Sequence, residues 1–155
     1  MTQKKIVQRN PIYWIPSTWF AMGLPFVALA AASAIMYKNL GISDSQIAFW
    51  TSLIMLPWTL KPLWGPFLEM YKTRKFFVYA TQILTGLLFG LVGLSLQLDS
   101  FFSVSIAIMS IIALSASTHD IAADGVYLNE LSAKSQAKFV GWQGAFYNIA
   151  KVFSG

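Results

Sequence analysis

Five ionisable side chains lie where the chain is otherwise too apolar to hold them: Lys61, His119, Asp120, Asp124 and Lys151. An ionisable group inside a membrane-length apolar stretch is a candidate for a substrate or proton pathway, because hydrocarbon offers it no solvation. The densest group is Ser117-Thr118-His119-Asp120-Ile121-Ala122-Ala123-Asp124-Gly125. Asp120 and Asp124 are four residues apart and share one face of a helix. Like charges at that spacing repel, so one of the carboxyls requires a shifted pKa or a cationic partner. The rival reading places both at the membrane boundary, where they cap neighbouring helices. His119 is the single histidine. Imidazole suits proton handling, but this ring points about 100° away from Asp120 on a helix, so a polar contact within the bundle is its expected role.

Two lysines complete the set. Lys151 is 13 residues beyond Lys138, about 20 Å along a helix and too deep for easy snorkelling. Gly144, Asn148, Lys151 and Gly155 share a face, which makes Lys151 and Asn148 candidates to meet an anionic substrate group. The alternative is that the span exits early and Lys151 reaches the far interface. Lys61 is flanked by Pro57, Pro62 and Pro66. A helix broken there exposes carbonyls that an ammonium can bond; snorkelling accounts for Lys61 almost as well.

The elements that position these residues follow from composition. Of 155 residues, 56% are hydrophobic and 11% charged, against about 25% charged in soluble domains. That excludes a disordered chain, a disulfide scaffold (there is no Cys) and a soluble globular domain. Trp14 to Tyr37 runs 24 residues without a charge, Phe76 to Leu98 runs 23, and Phe101 to Thr118 runs 18. Ile47 to Leu68 holds only Lys61, and Phe139 to Gly155 only Lys151. About 20 apolar residues cross a bilayer, which predicts an all-α membrane protein with spans at about 14–37, 47–68, 76–98, 101–121 and 139–155, the last incomplete. Gly41 is placed to stop the first helix, and Ser43 or Asp44 to cap the second. Ser103, Ser110, Ser117 and Asp124 recur every seven residues and predict a small, polar stripe on the fourth span.

The net charge is +5. Lys4, Lys5, Arg9, Lys72, Arg74, Lys75, Lys134 and Lys138 fall on one side of these spans and Lys38 alone on the other. The bias predicts a cytoplasmic N-terminus and no nucleic-acid role. A cleaved leader is the rival for the first span, but its apolar run exceeds an h-region.

These residues resemble a known family. Gly65-Pro66-Phe67-Leu68-Glu69-Met70-Tyr71-Lys72-Thr73-Arg74-Lys75 is similar to the loop that follows helix two in the major facilitator superfamily: Gly65, Glu69, Arg74 and Lys75 match in kind, with Glu for the usual Asp and Lys72 where Gly is common. Gly23-Leu24-Pro25-Phe26 with Leu40-Gly41-Ile42-Ser43, and Lys61-Pro62-Leu63-Trp64-Gly65-Pro66, resemble the AmpG-type muropeptide permeases. Thr118 to Gly125 resembles a segment shared by those permeases and the acetyl-CoA transporters, in which Gln is usual at the position of His119.

The resemblance implies that residues 1–155 are helices one to five of a twelve-helix transporter working by alternating access, in the inner membrane of a bacterium. It implies a small-molecule substrate, proton symport, no cofactor, and a gate loop of Gly65, Glu69, Arg74 and Lys75 contacting the C-terminal half. Asp120 and Asp124 would set that gate or couple protons. An acyl-CoA is the alternative solute, and a structural or assembly membrane protein the alternative class. An enzyme is not expected, since one His and no Cys do not make a zinc site.

Overall fold

The computed structural model describes residues 10–71 and 73–155. Lys4, Lys5, Arg9 and Lys72 lie outside them, as does the side chain of Glu69. Every element among the described residues is helical. Three helices are individually long and apolar enough to cross a membrane: α1 (Pro11–Asn39), α5 (Arg74–Ser95) and α6 (Phe101–Glu130).

Helix α1 is not uniform. Asn10 caps its opening turn by accepting from the Ile12 N–H. Pro25 sits inside it and withdraws one N–H from the ladder. Three residues on, Ala28–Ala32 widens into a π turn before the α geometry resumes at Ser33. Gly41, at φ +81°, ends the helix, and the Ile42 N–H closes back on the Tyr37 carbonyl at 3.0 Å. Lys38 pairs with Asp44 across this turn. Ser43 caps the next helix, bonding the Gln46 N–H as its spacing predicts.

The second expected span is three pieces: α2 (Asp44–Ile54), α3 (Leu56–Thr59) and α4 (Lys61–Tyr71). The breaks fall at Met55 and Leu60, each two residues before a proline. Pro57 and Pro62 thus occupy first turns, where a missing N–H costs nothing. Thr73 caps α5 and Ser132 caps α7 (Ala133–Ser154). Helix α6 extends to Glu130, nine residues past the expected boundary.

Helix α6 is the central column. Helix α5 packs along it, α2 to α4 lie across it, and α1 packs along both α6 and α7. Two apolar clusters grip its ends. One gathers Tyr37, Ile54 and Leu88 around Ile106, Met109, Ile112 and Ala113. The other gathers Ile15, Trp19 and Val78 around Ala122, Ala123, Val126 and Tyr127. Between them α6 is buried but polar: Ser115, Ser117, His119 and Asp120.

Hydrogen bonds between helices also differ from the expected seven-residue stripe. Tyr37 Oη bonds Ser105 Oγ at 2.7 Å, and Thr85 Oγ1 donates to Ser115 Oγ at 2.9 Å. Ser110 and Ser117 instead bond carbonyls of their own helix, and Ser103 is exposed. The outer face of α5 shows Ile83, Leu87 and Leu94, as a lipid-facing surface does.

Candidate functional site

The polar stretch of α6 meets the break in the second span. Leu60 ends α3 and Lys61 opens α4, so Trp58 and Lys61 project from either side of one discontinuity. Both reach the same oxygen. Trp58 Nε1 donates to Asp120 Oδ2 at 2.9 Å, and Lys61 Nζ donates to it at 2.7 Å. The Asp120 side chain is 9% exposed and that of Lys61 29%. Of the two alternatives the Asp pair left open, Asp120 has the cationic partner, Lys61, 59 residues earlier in the chain. The hydrogen bond that Lys61 makes among the described residues thus goes to this carboxylate rather than to the carbonyls of the broken helix. Asp120 Oδ1 is buried without a partner among the described residues, so the carboxylate keeps one unused acceptor.

A row of rings leads away from this pair. The Trp58 ring meets Phe26 edge-on, 5.6 Å between centroids. Lys151 Nζ stands 5.8 Å from the Phe26 centroid and 5.4 Å from that of Tyr147. Cations over aromatic faces are held by the ring quadrupole, with no counter-charge consumed. Lys151 has no ion pair among the described residues. Tyr147 is within electrostatic reach of Asp120. Lys151, Phe26, Trp58, Lys61 and Asp120 thus form one connected set from α1, α3, α4, α6 and α7.

The other expected residues divide. Asp124 is exposed one turn along α6 and within electrostatic reach of Lys61. Asn148 is exposed, and its amide donates to the Gly144 carbonyl of its own helix at 2.8 Å. His119 turns away from Asp120, toward α1 and α5, and neither ring nitrogen has a partner among the described residues. Trp64 likewise has a buried indole N–H without a partner among the described residues.

Three of the residues expected in the gate loop face the C-terminal part of α6, between Ile121 and Glu130. Arg74 Nη1 donates to the Gly125 carbonyl at 2.9 Å, and Lys75 pairs with Glu130 at 3.0 Å. A Cβ on Gly125 would fall 2.5 Å from Arg74 Cδ, so that glycine lets the guanidinium lie flat on the helix. Gly65 faces Ile121.

Sequence reasoning missed Trp58, Phe26 and Tyr147 as members of the site. Trp58 is three residues before Lys61, and Tyr147 four before Lys151. An aromatic one turn from each membrane-embedded lysine was the signal available.

A family model describing the BT1 family matches residues 21–149. The chain belongs to the BT1 family. This is a family of membrane transporters within the permease group that is like the major facilitator superfamily. The match takes in the whole connected set except Lys151, which lies two residues beyond it. The chain is also 27% identical to an uncharacterized protein, C21B10.09, of the fission yeast Schizosaccharomyces pombe, over 90% of this chain and 30% of that protein. The BT1-family chain thus spans about a third of that relative's length. No solved structure matches it.

Proposed function

We propose that these residues are the N-terminal part of a twelve-helix, alternating-access transporter that carries an anionic solute, coupled to protons. The observation that supports this best is the Lys61–Asp120 pair joined through Trp58 and Phe26 to Lys151, which has no ion pair among the described residues. Membrane-embedded charge is expensive, and helices that only pack have no use for it. Lys151, held over two rings, receives the anionic group of the solute. Asp120 has a free oxygen for a proton, and protonation weakens its hold on Lys61. The eight basic residues on one side support a cytoplasmic N-terminus, with Arg74 and Lys75 at a cytoplasmic gate. Muropeptides and acyl-CoAs are the solutes to test first.

The experiment is uptake by the longer natural protein in proteoliposomes. Asp120→Asn abolishes accumulation driven by a pH gradient but keeps solute counterflow, which needs no net proton movement. Lys151→Met raises KM for the anionic solute by about 10- to 100-fold, the loss expected for one hydrogen bond to a charged group. Accumulation that survives Asp120→Asn sinks the coupling role, and an unchanged KM in Lys151→Met sinks the anion role.

A further inference from the structure

Lys61 has a tryptophan three residues away on either side, Trp58 before it and Trp64 after it. On α6, Asp120 and Asp124 stand one turn apart on one face. Helices α4 and α6 run the same way here, since Lys61 meets Asp120 and Gly65 meets Ile121. Trp64 and Asp124 are therefore each one turn further along than the residues that form the ion pair.

The two turns are used unequally. Asp120 takes both donors, the Trp58 N–H and the Lys61 ammonium. Asp124 has no ion pair among the described residues. The Trp64 indole N–H is buried and has no partner among them either. A buried donor without an acceptor carries its full desolvation cost, which a second arrangement of the same residues would recover.

Lys61 can reach that arrangement. Its ammonium rides on a flexible four-carbon stem, and side chains four apart on a helix have Cβ atoms about 5–6 Å apart. It is already within electrostatic reach of Asp124, and at 29% exposed its side chain is not locked by packing.

We propose that Asp124 is a second station for Lys61, occupied when Asp120 takes up a proton, and that the Trp64 N–H then serves Asp124 as the Trp58 N–H serves Asp120. The inference rests on the proposed proton-coupled reading for the source of the proton, and it gives Asp124 a lysine to hold. The proton enters on the unpartnered Asp120 Oδ1. A neutral Asp120 no longer offsets the ammonium, which moves one turn along to the ionised Asp124. Lys61 stays charged throughout, so the set gains one positive charge on proton uptake and loses it on release. The other titratable groups near the two carboxyls are Tyr147 and Lys151 on α7 and Arg74 on α5. Lys151 is held over rings and Arg74 on the Gly125 carbonyl, which leaves Lys61 as the cation that changes place.

The test is thermal melting of the longer natural protein in detergent at pH 7, with Asp120→Asn standing for the protonated carboxyl. In wild type, Asp124→Asn changes the melting temperature little, and Trp64→Phe leaves it level or raises it. In Asp120→Asn, each of the two lowers it by several degrees, because Lys61 has moved to Asp124. Adding Lys61→Met to that background cancels both losses. Equal effects in wild type and in Asp120→Asn overturn the proposal. Losses that persist without Lys61 assign Asp124 another partner and overturn it too. A loss for Asp124→Asn with none for Trp64→Phe overturns the role of Trp64.

Uptake by Asp124→Asn, with Asp120 intact, gives a second measurement that does not depend on the folding of Asp120→Asn. Accumulation driven by a pH gradient should fall several-fold while counterflow persists, and undiminished accumulation overturns the second station. Melting needs no transport, so the two readings fail separately. Coupled melting with uptake indifferent to the pH gradient sinks the proton-coupled reading alone. Uncoupled melting with gradient-driven uptake intact sinks the second station alone.

Discussion

Lys61→Met is expected to destabilise the longer natural protein, by less than the about 3–5 kcal/mol of stranding one partner of a fully buried ion pair, because the Lys61 side chain is 29% exposed. Asp120 would keep its bond to Trp58 but lose the only charge that offsets it among the described residues. Asp120→Leu takes the carboxylate from the ammonium instead and is expected to cost no more, since Asp124 is within electrostatic reach of Lys61. The double variant removes both charges. Apolar replacement of a whole buried pair is often neutral or stabilising, so Lys61→Met/Asp120→Leu should melt close to wild type while carrying no proton-driven uptake. Thermal unfolding of the four proteins in detergent closes the double-mutant cycle. Strictly additive losses would show that the two residues are not coupled, and the connected site would lose its centre.

The second large effect is at Gly23. A Cβ there would stand 2.6 Å from the Tyr147 carbonyl oxygen and 2.8 Å from Ala150 Cβ. The first of these is backbone and cannot swing aside. Gly23→Ala therefore forces α1 and α7 apart, at about 1–3 kcal/mol for overpacking. Gly23→Leu should prevent the two helices from docking. The consequence reaches the site, because Lys151 is held between Phe26 on α1 and Tyr147 on α7. Gly23→Ala should weaken anionic solute binding as well as lower the melting temperature. Gly90→Ala is the control: nothing lies within 4 Å of its Cβ, and removing a helical glycine there should stabilise by about 0.5–1 kcal/mol. Equal behaviour of the two alanine variants would contradict the close approach at Gly23.

The features written along one stretch of chain were legible. Charge-free runs announce α1, α5 and α6, Gly41 and Ser43 announce the first turn, and prolines announce where the second span breaks. Asp120's need for a cation follows from its own neighbourhood. Which cation answers it does not, since Lys61 is 59 residues away and local periodicity carries no information at that range. The serine stripe is buried at Ala113 and Ser117, but which serines bond another helix was hidden for a related reason. Helix α6 is enclosed on most sides, so a seven-residue repeat selects no single partner helix, and Ser105 and Ser115 make the contacts instead. Trp58 was hidden by its ordinary setting: a tryptophan in an apolar span reads as packing until its N–H is seen to reach a carboxylate.

The Lys61–Asp120 pair also constrains biosynthesis. A lysine near the middle of a span costs about 2.5–3.5 kcal/mol at insertion. When Lys61 leaves the ribosome its counter-charge has not yet been made. At about 5–20 residues per second, 59 residues take roughly 3–12 s. For that interval the segment holding α2 to α4 must wait in the translocon or hold its ammonium against the headgroups. Helix α6 then delivers the carboxylate and draws the earlier segment to its final depth. A ribosome stalled before Asp120 is therefore expected to leave the second span only half committed to the membrane.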